Sequence, residues 1–208
     1  MRPLIIIQAR LGSTRLPGKV LMPICGRPML QYLMERMEQR VVAIPRGDKD
    51  GPLGQWLASF TGRPVVTPDS APIISEEDVA GRFRGALEYL GHPPAFIRLC
   101  GDSPLMDPAL LAAAIALYEP PYLEIRSPVG CVEVCDTVAF LAELPSMSAH
   151  EREHVTLRLR PAGRSIVVGG GDRLVVDTPE DFQRVKFVIE KMDRPHTEYG
   201  WRECVSLL

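Results

Sequence analysis

The stretch "QARLGSTRLPGK" (8–19) places three cations, Arg10, Arg15 and Lys19, beside two hydroxyls, Ser13 and Thr14, and two glycines, Gly12 and Gly18. It follows the apolar run "LIII" (4–7). Guanidinium forks match phosphate oxygens and an ammonium acts as a point charge, so this composition can embrace a polyphosphate. Two familiar phosphate loops do not fit. In a Walker A alignment on Gly18–Lys19, Ser13 takes the place of the first glycine and Val20 that of the metal-binding hydroxyl. A dinucleotide loop needs G-x-G-x-x-G running into a helix, whereas Gly12 stands alone and Pro17 blocks an early helix. What is left is a loop that grips phosphate with side-chain cations as well as backbone amides, or else a solvated basic loop. Its position at the end of a buried first strand favours the former.

The elements that must carry this loop alternate between strand and helix patterns. Strands are expected at 4–7, 41–44, 64–67 and 95–100, at "YLEIRS" and "CVEVC", at "SIVVGG", and at "RLVV" before Asp177. Helices are expected at 29–39, with Leu30, Leu33, Met34 and Met37 on one face, at 51–60, and from "SEEDVAGRFRGALEYL". In the last of these Ser75 reads as N-cap and Asp78 as N3 of a capping box. Asp107 and Pro108 open another helix; "REHVTLRLR" reads as helical; Thr178, Pro179 and Asp181 open the last. The alternation predicts an α/β fold with a mostly parallel sheet, as one domain over 1–208. Residues 121–160 break the alternation, so strands of mixed direction are expected there. In open α/β sheets ligands bind beyond the carboxyl ends of strands. "QARLGSTRLPGK", "GDSP" and "DTPED" all follow apolar runs at such ends.

Bulk properties narrow the class. The 208 residues carry a formal net charge of −2, which gives no global basic field for nucleic acid. No apolar run approaches a membrane span, and "LIII" is too short for a signal peptide, so a cytoplasmic protein is expected. Cys25, Cys100, Cys131, Cys135 and Cys204 form no CxxC pair and read as free thiols of a reducing compartment.

The pattern Q-A-R-x-x-S-x-R-L-P-G-K resembles the opening signature of the sugar-activating cytidylyltransferases. The spore-coat polysaccharide (SpsF-like) group is the most similar, beside CMP-ketodeoxyoctonate synthetases and acylneuraminate cytidylyltransferases. "QARLGSTRLPGKVLMPICGRPML", "EDVAGRF", "IRLCGDSPLMDP", "REHVT" and "RLVVDTPED" match that group's order and spacing. The resemblance implies the nucleotide-diphospho-sugar transferase (GT-A-like, Rossmann-like) fold, a three-layer α/β/α sandwich with a mixed, mostly parallel sheet. It implies CTP and a small sugar acceptor as partners, Mg²⁺ as cofactor, and a homodimer to which 121–160 contributes.

By that resemblance Arg10, Ser13, Arg15 and Lys19 grip the triphosphate, and backbone groups at Gln8 and Ala9 read the pyrimidine. Arg10 and Lys19 are the candidates to neutralise charge as pyrophosphate leaves. Asp102 and Asp177 are the metal candidates, because Mg²⁺ on a nucleotide takes one or two carboxylates plus phosphate oxygens. Asp102 would also be the catalytic carboxylate. Either aspartate can instead cap a turn or helix, though Thr178 already suits the last helix. Glu180 and Asp181 read as first-turn dipole partners. Arg82 matches a position near the nucleoside; Glu153 and His154, with Glu133, are expected on the acceptor side. Arg98 is left between pocket and packing. The group's acidic acceptor-side stretch here reads "VGCVEVCD", which keeps Glu133 but has Cys131 near the expected aspartate.

The expected activity is CTP-dependent transfer of a cytidylyl group to an acidic or amino sugar. The alternatives are another sugar nucleotidyltransferase or glycosyltransferase of this fold, and a catalytically weak nucleotide-binding protein.

Overall fold

A computed structural model describes residues 3–37, 40–43, 51–61 and 77–208. The strand expected at 64–67 and the cap expected at Ser75 lie outside them. Among the described residues a six-stranded sheet has the order β4-β1-β5-β7-β6-β8, where β1 is Leu4–Gln8, β4 Arg40–Ala43, β5 Ala95–Cys100, β6 Tyr122–Ser127, β7 Gly130–Asp136 and β8 Arg164–Val167. A two-stranded hairpin, β2 (Pro23–Ile24) with β3 (Arg27–Pro28), comes after the first loop. β1 pairs in parallel with β4 and β5, and β6 in parallel with β8. β7 runs antiparallel to both β5 and β6. The sheet is therefore mixed but mostly parallel, and the reversal falls inside 121–160 as expected.

Both faces of β1 are covered, which explains why it reads as a continuous apolar run rather than an alternating one. Ile5 and Ile7 join a core cluster with Leu30 and Leu33 of α1 (Met29–Arg36), Leu53 of α2 (Gly51–Thr61), Leu110 of α4 (Pro108–Leu117), Val185 of α7 (Pro179–Glu190) and Cys204 of α8 (Trp201–Ser206). Ile6 joins a second cluster with Val79 and Phe83 of α3 (Val79–Tyr89), Phe140 of α5 (Thr137–Glu143), and Val155 beyond α6 (Ala149–Glu153). The sheet thus lies between two helical layers, the three-layer sandwich expected. Tyr199, Trp201 and Cys204 of the C-terminal tail pack into the chain's own core.

Three local expectations are corrected. Asp78 is the N-cap of α3, accepting from Gly81 N–H at 2.9 Å, and not an N3 residue. The segment 173–176 is buried at Leu174, Val175 and Val176, yet forms no strand. It makes isolated hydrogen bonds to the carbonyls of Pro128 and Asp102. "REHVTLRLR" is helical only to Glu153, because Val155 adopts φ 48°. That turn sends Val155 into the core and brings Thr156 to Glu133. No helix among the described residues is long and apolar enough to cross a membrane.

Candidate active site

The carboxyl ends of β1 and β5 lie side by side. Gly101 N–H donates to the Gln8 carbonyl at 2.8 Å. A Cβ on Gly101 would stand 3.1 Å from that oxygen and 3.3 Å from Ala9 Cβ, so glycine permits the approach. After β1 the loop is turned by its own bonds: Ser13 and Gly18 N–H both donate to the Leu11 carbonyl, and Leu16 N–H donates to Ser13 Oγ at 3.3 Å. Gly18 at φ 71° reverses the chain into a 3₁₀ turn that begins with Lys19.

The second carboxylate arrives by a backbone bond. Val176 N–H donates to the Asp102 carbonyl at 2.8 Å, which places Asp177 beside Asp102. Lys19 Nζ then bonds the Val176 carbonyl at 2.6 Å and lies 3.3 Å from a carboxylate oxygen of each aspartate. Arg15 pairs with Asp177 at 3.3 Å, and Arg173 reaches the other oxygen at 3.3 Å. Asp181 is occupied by the capping box of Thr178, as its sequence position indicated.

These groups line a cavity of about 180 Å³. Gln8, Ala9, Arg10, Ser13, Arg15 and Lys19 line it together with Cys100, Asp102 and Asp177. Of the residues singled out from sequence, the structure therefore gathers those of the loop and both aspartates. Arg10 pairs with Glu153 at 3.6 Å, which brings Glu153 to the cavity's edge. His154 comes next in an exposed position, its ring edge-on to His150 with centroids 4.5 Å apart. Desolvation and the neighbouring His150 hold its pKa below the usual imidazole range. Arg82 is buried in α3 and Glu133 is buried beneath the cavity; neither lines it.

Glu133 is instead the centre of a network that sequence reasoning missed. Its Oε2 accepts from Arg98; its Oε1 accepts from Tyr122 Oη and Thr156 Oγ1, both at 2.6 Å, and from Arg160 at 3.1 Å. Burial by itself would raise its pKa, but Arg98, the two hydroxyls and Arg160 outweigh that and hold it down at about 2. Arg98 and Glu133 are direct cross-strand partners on β5 and β7, a register that no local motif announces. Arg98 goes on to bond the Gln8 side-chain oxygen at 3.0 and 3.2 Å.

The arrangement sets loop cations beside two carboxylates. Two carboxylates converge on one ammonium, so the site already holds a cation between them. That donor set suits a hard divalent ion completed by phosphate oxygens, with Asp102 and Asp177 as protein ligands. Among the described residues no group of three or more metal-ligating side chains occurs. Burial pushes the Cys100 thiol, on the cavity wall, up to about 11, which favours its protonated form.

The fold is of the nucleotide-diphospho-sugar transferase type. Residues 4–43 match the family model described as cytidylyltransferase. The spore coat polysaccharide biosynthesis protein SpsF of Bacillus subtilis (strain 168) is 31% identical over 239 aligned positions, covering 99% of this chain and 93% of that protein. The chain belongs to the sugar-activating cytidylyltransferase family. A cytidylyltransferase from Leptospira borgpetersenii superposes with a TM-score of 0.82 at 24% identity, over 100% of this chain and 93% of the other. The CMP:2-keto-3-deoxy-manno-octonic acid synthetase complexed with CTP gives 0.65 at 20% identity, over 92% and 99%. These two likenesses are of fold.

Proposed function

We propose that the protein transfers a cytidylyl group from CTP to an acidic or amino sugar, forming a CMP-sugar and pyrophosphate. The observation that supports this most is the convergence of Arg10, Arg15 and Lys19 with Asp102 and Asp177 on one cavity at the ends of β1 and β5. An oxygen of the sugar attacks the α-phosphorus in line; the bond to the pyrophosphate oxygen breaks as the new phosphorus–oxygen bond forms. Arg10 and Lys19 neutralise charge on the phosphates, Arg15 holds the triphosphate from the solvent side, and the Ser13 loop supplies amides. Bound between Asp102 and Asp177, Mg²⁺ would supply charge neutralisation on the phosphate oxygens. In this reading Asp102 and Asp177 would hold the ion and Lys19 would contact the phosphates. Glu153, paired with Arg10 at the cavity's edge, and the adjacent His154 are assigned to the acceptor. No protein nucleophile is needed, since positioning and charge neutralisation carry phosphoryl-type transfer.

A pyrophosphate-release assay with CTP, UTP, ATP and GTP against a panel of sugar acids and amino sugars tests the proposal. Sugar-dependent release from CTP is expected, and greater than from the other three. Release from none of the nucleotides with any sugar would overturn it.

A further inference from the structure

The Glu133–Arg98 pair ends on a group that faces the cavity. Arg98 Nε and Nη2 both donate to Gln8 Oε1, at 3.2 and 3.0 Å, while Nη1 donates to Glu133. A guanidinium has donors and no acceptor, so only the carbonyl end of the Gln8 amide can face Arg98. The NH₂ end must then turn away from Arg98, and Gln8 is a cavity-lining residue. A glutamine without this clamp could flip its amide and offer either polarity. Arg98 is in turn immobilised, because Glu133 is held by Tyr122, Thr156 and Arg160 as well.

A buried ion pair is a costly way to fill space, and apolar side chains of similar volume often serve stability equally well. What apolar residues cannot do is fix the polarity of an amide. We infer that Gln8 is a one-way hydrogen-bond donor to a substrate oxygen or unprotonated ring nitrogen, and that Arg98, backed by Glu133, is the positioning residue that sets its direction. The inference rests on the nucleotidyltransferase reading of the cavity. The acceptor atom is shared chemistry of two bound molecules: the pyrimidine nucleoside and the sugar.

Gln8→Glu is the decisive variant. It keeps an oxygen for Arg98, and so keeps the buried network, but replaces the donor by an acceptor. Gln8→Met removes both. Each is measured in two arms: calorimetric titration with CTP in Mg²⁺, and KM for the sugar that supports pyrophosphate release in the wild type. Gln8→Glu is expected to lose about 10-fold or more in one arm, roughly the 1.4 kcal/mol of one buried polar contact, and to stay within about twofold in the other. The arm in which both Gln8 variants lose identifies the molecule Gln8 contacts, because the carboxylate of Gln8→Glu also repels a triphosphate without touching it. Arg98→Lys preserves a charge for Glu133 but not the two-bond grip on Gln8. It should raise KM in that same arm with kcat little changed, and add nothing further in the Gln8→Met background. If both Gln8 variants leave both arms within twofold, or if Arg98→Lys acts equally with and without Gln8, the inference fails. A wild type that binds no CTP refutes the nucleotidyltransferase reading on which the inference rests, a result distinguishable from either of these.

Discussion

Replacing Glu133 by glutamine removes one charge and almost no volume, yet the surrounding network makes the change costly. The carboxylate accepts four donors: Arg98 on one oxygen, and Tyr122, Thr156 and Arg160 on the other. An amide has one oxygen, so whichever way the new side chain turned, its NH₂ would face an arginine. Breaking a buried pair by removing one partner costs about 3–5 kcal/mol. The depressed pKa gives a second route to the magnitude. A carboxyl lowered from 4.5 to about 2 is favoured in the folded state by roughly 3 kcal/mol at neutral pH. For a chain of this size that corresponds to a fall in Tm of about 10 °C. This stability is fully present above the unfolded pKa near 4.5 and is lost as pH falls through the folded value near 2. Thermal unfolding of wild type and Glu133→Gln, monitored by circular dichroism from pH 7 down to about pH 2.5, should show a gap that is constant above about pH 5 and narrows below it. A gap under about 1 kcal/mol at pH 7, or one that does not narrow, would refute the claim that Glu133 is a buried anion holding two arginines.

Other outcomes are equally checkable. Asp102→Asn should lower kcat of sugar-dependent pyrophosphate release at least about 100-fold while leaving Tm within a few degrees, because the side chain is partly exposed and acts on charge. Gly101→Ala sets a Cβ 3.1 Å from the Gln8 carbonyl and 3.3 Å from Leu30 Cδ1; a loss of about 1–3 kcal/mol in urea unfolding, with weaker CTP binding, is expected. Thr178→Ala removes the capping box of α7 and should cost about 1 kcal/mol by the same unfolding measurement, since its hydroxyl accepts from Asp181 N–H.

Much of the architecture was legible in the chain. The caps at Asp107 and Thr178 fix where α4 and α7 start, because the signal is a side chain bonding its own neighbours. The α/β pattern predicts that the three polar motifs share one sheet edge, and Lys19, Asp102 and Asp177 do meet there, although the segment before Asp177 forms no strand. What failed to show was set by tertiary contact. Leu174–Val176 carry strand-like residues, yet among the described residues they join no sheet and instead bond the Pro128 and Asp102 carbonyls. Helix α6 stops at Glu153 because Val155 is drawn into the core in a left-handed turn, against its β-branched preference. Glu133 and Arg98 read as an acceptor-side residue and an unassigned one; only the antiparallel register of β5 and β7 makes them partners.

The functional proposal stands or falls on whether the loop cations and the two aspartates form a triphosphate site. Calorimetric titration of the wild type with CTP and with CMP, each in Mg²⁺, decides it. CTP should bind at least about 100-fold more tightly than CMP, since two further phosphates meet Arg10, Arg15 and Lys19, and Lys19→Met should remove most of that advantage. Equal affinity for CTP and CMP in the wild type would contradict a triphosphate site at this sheet edge.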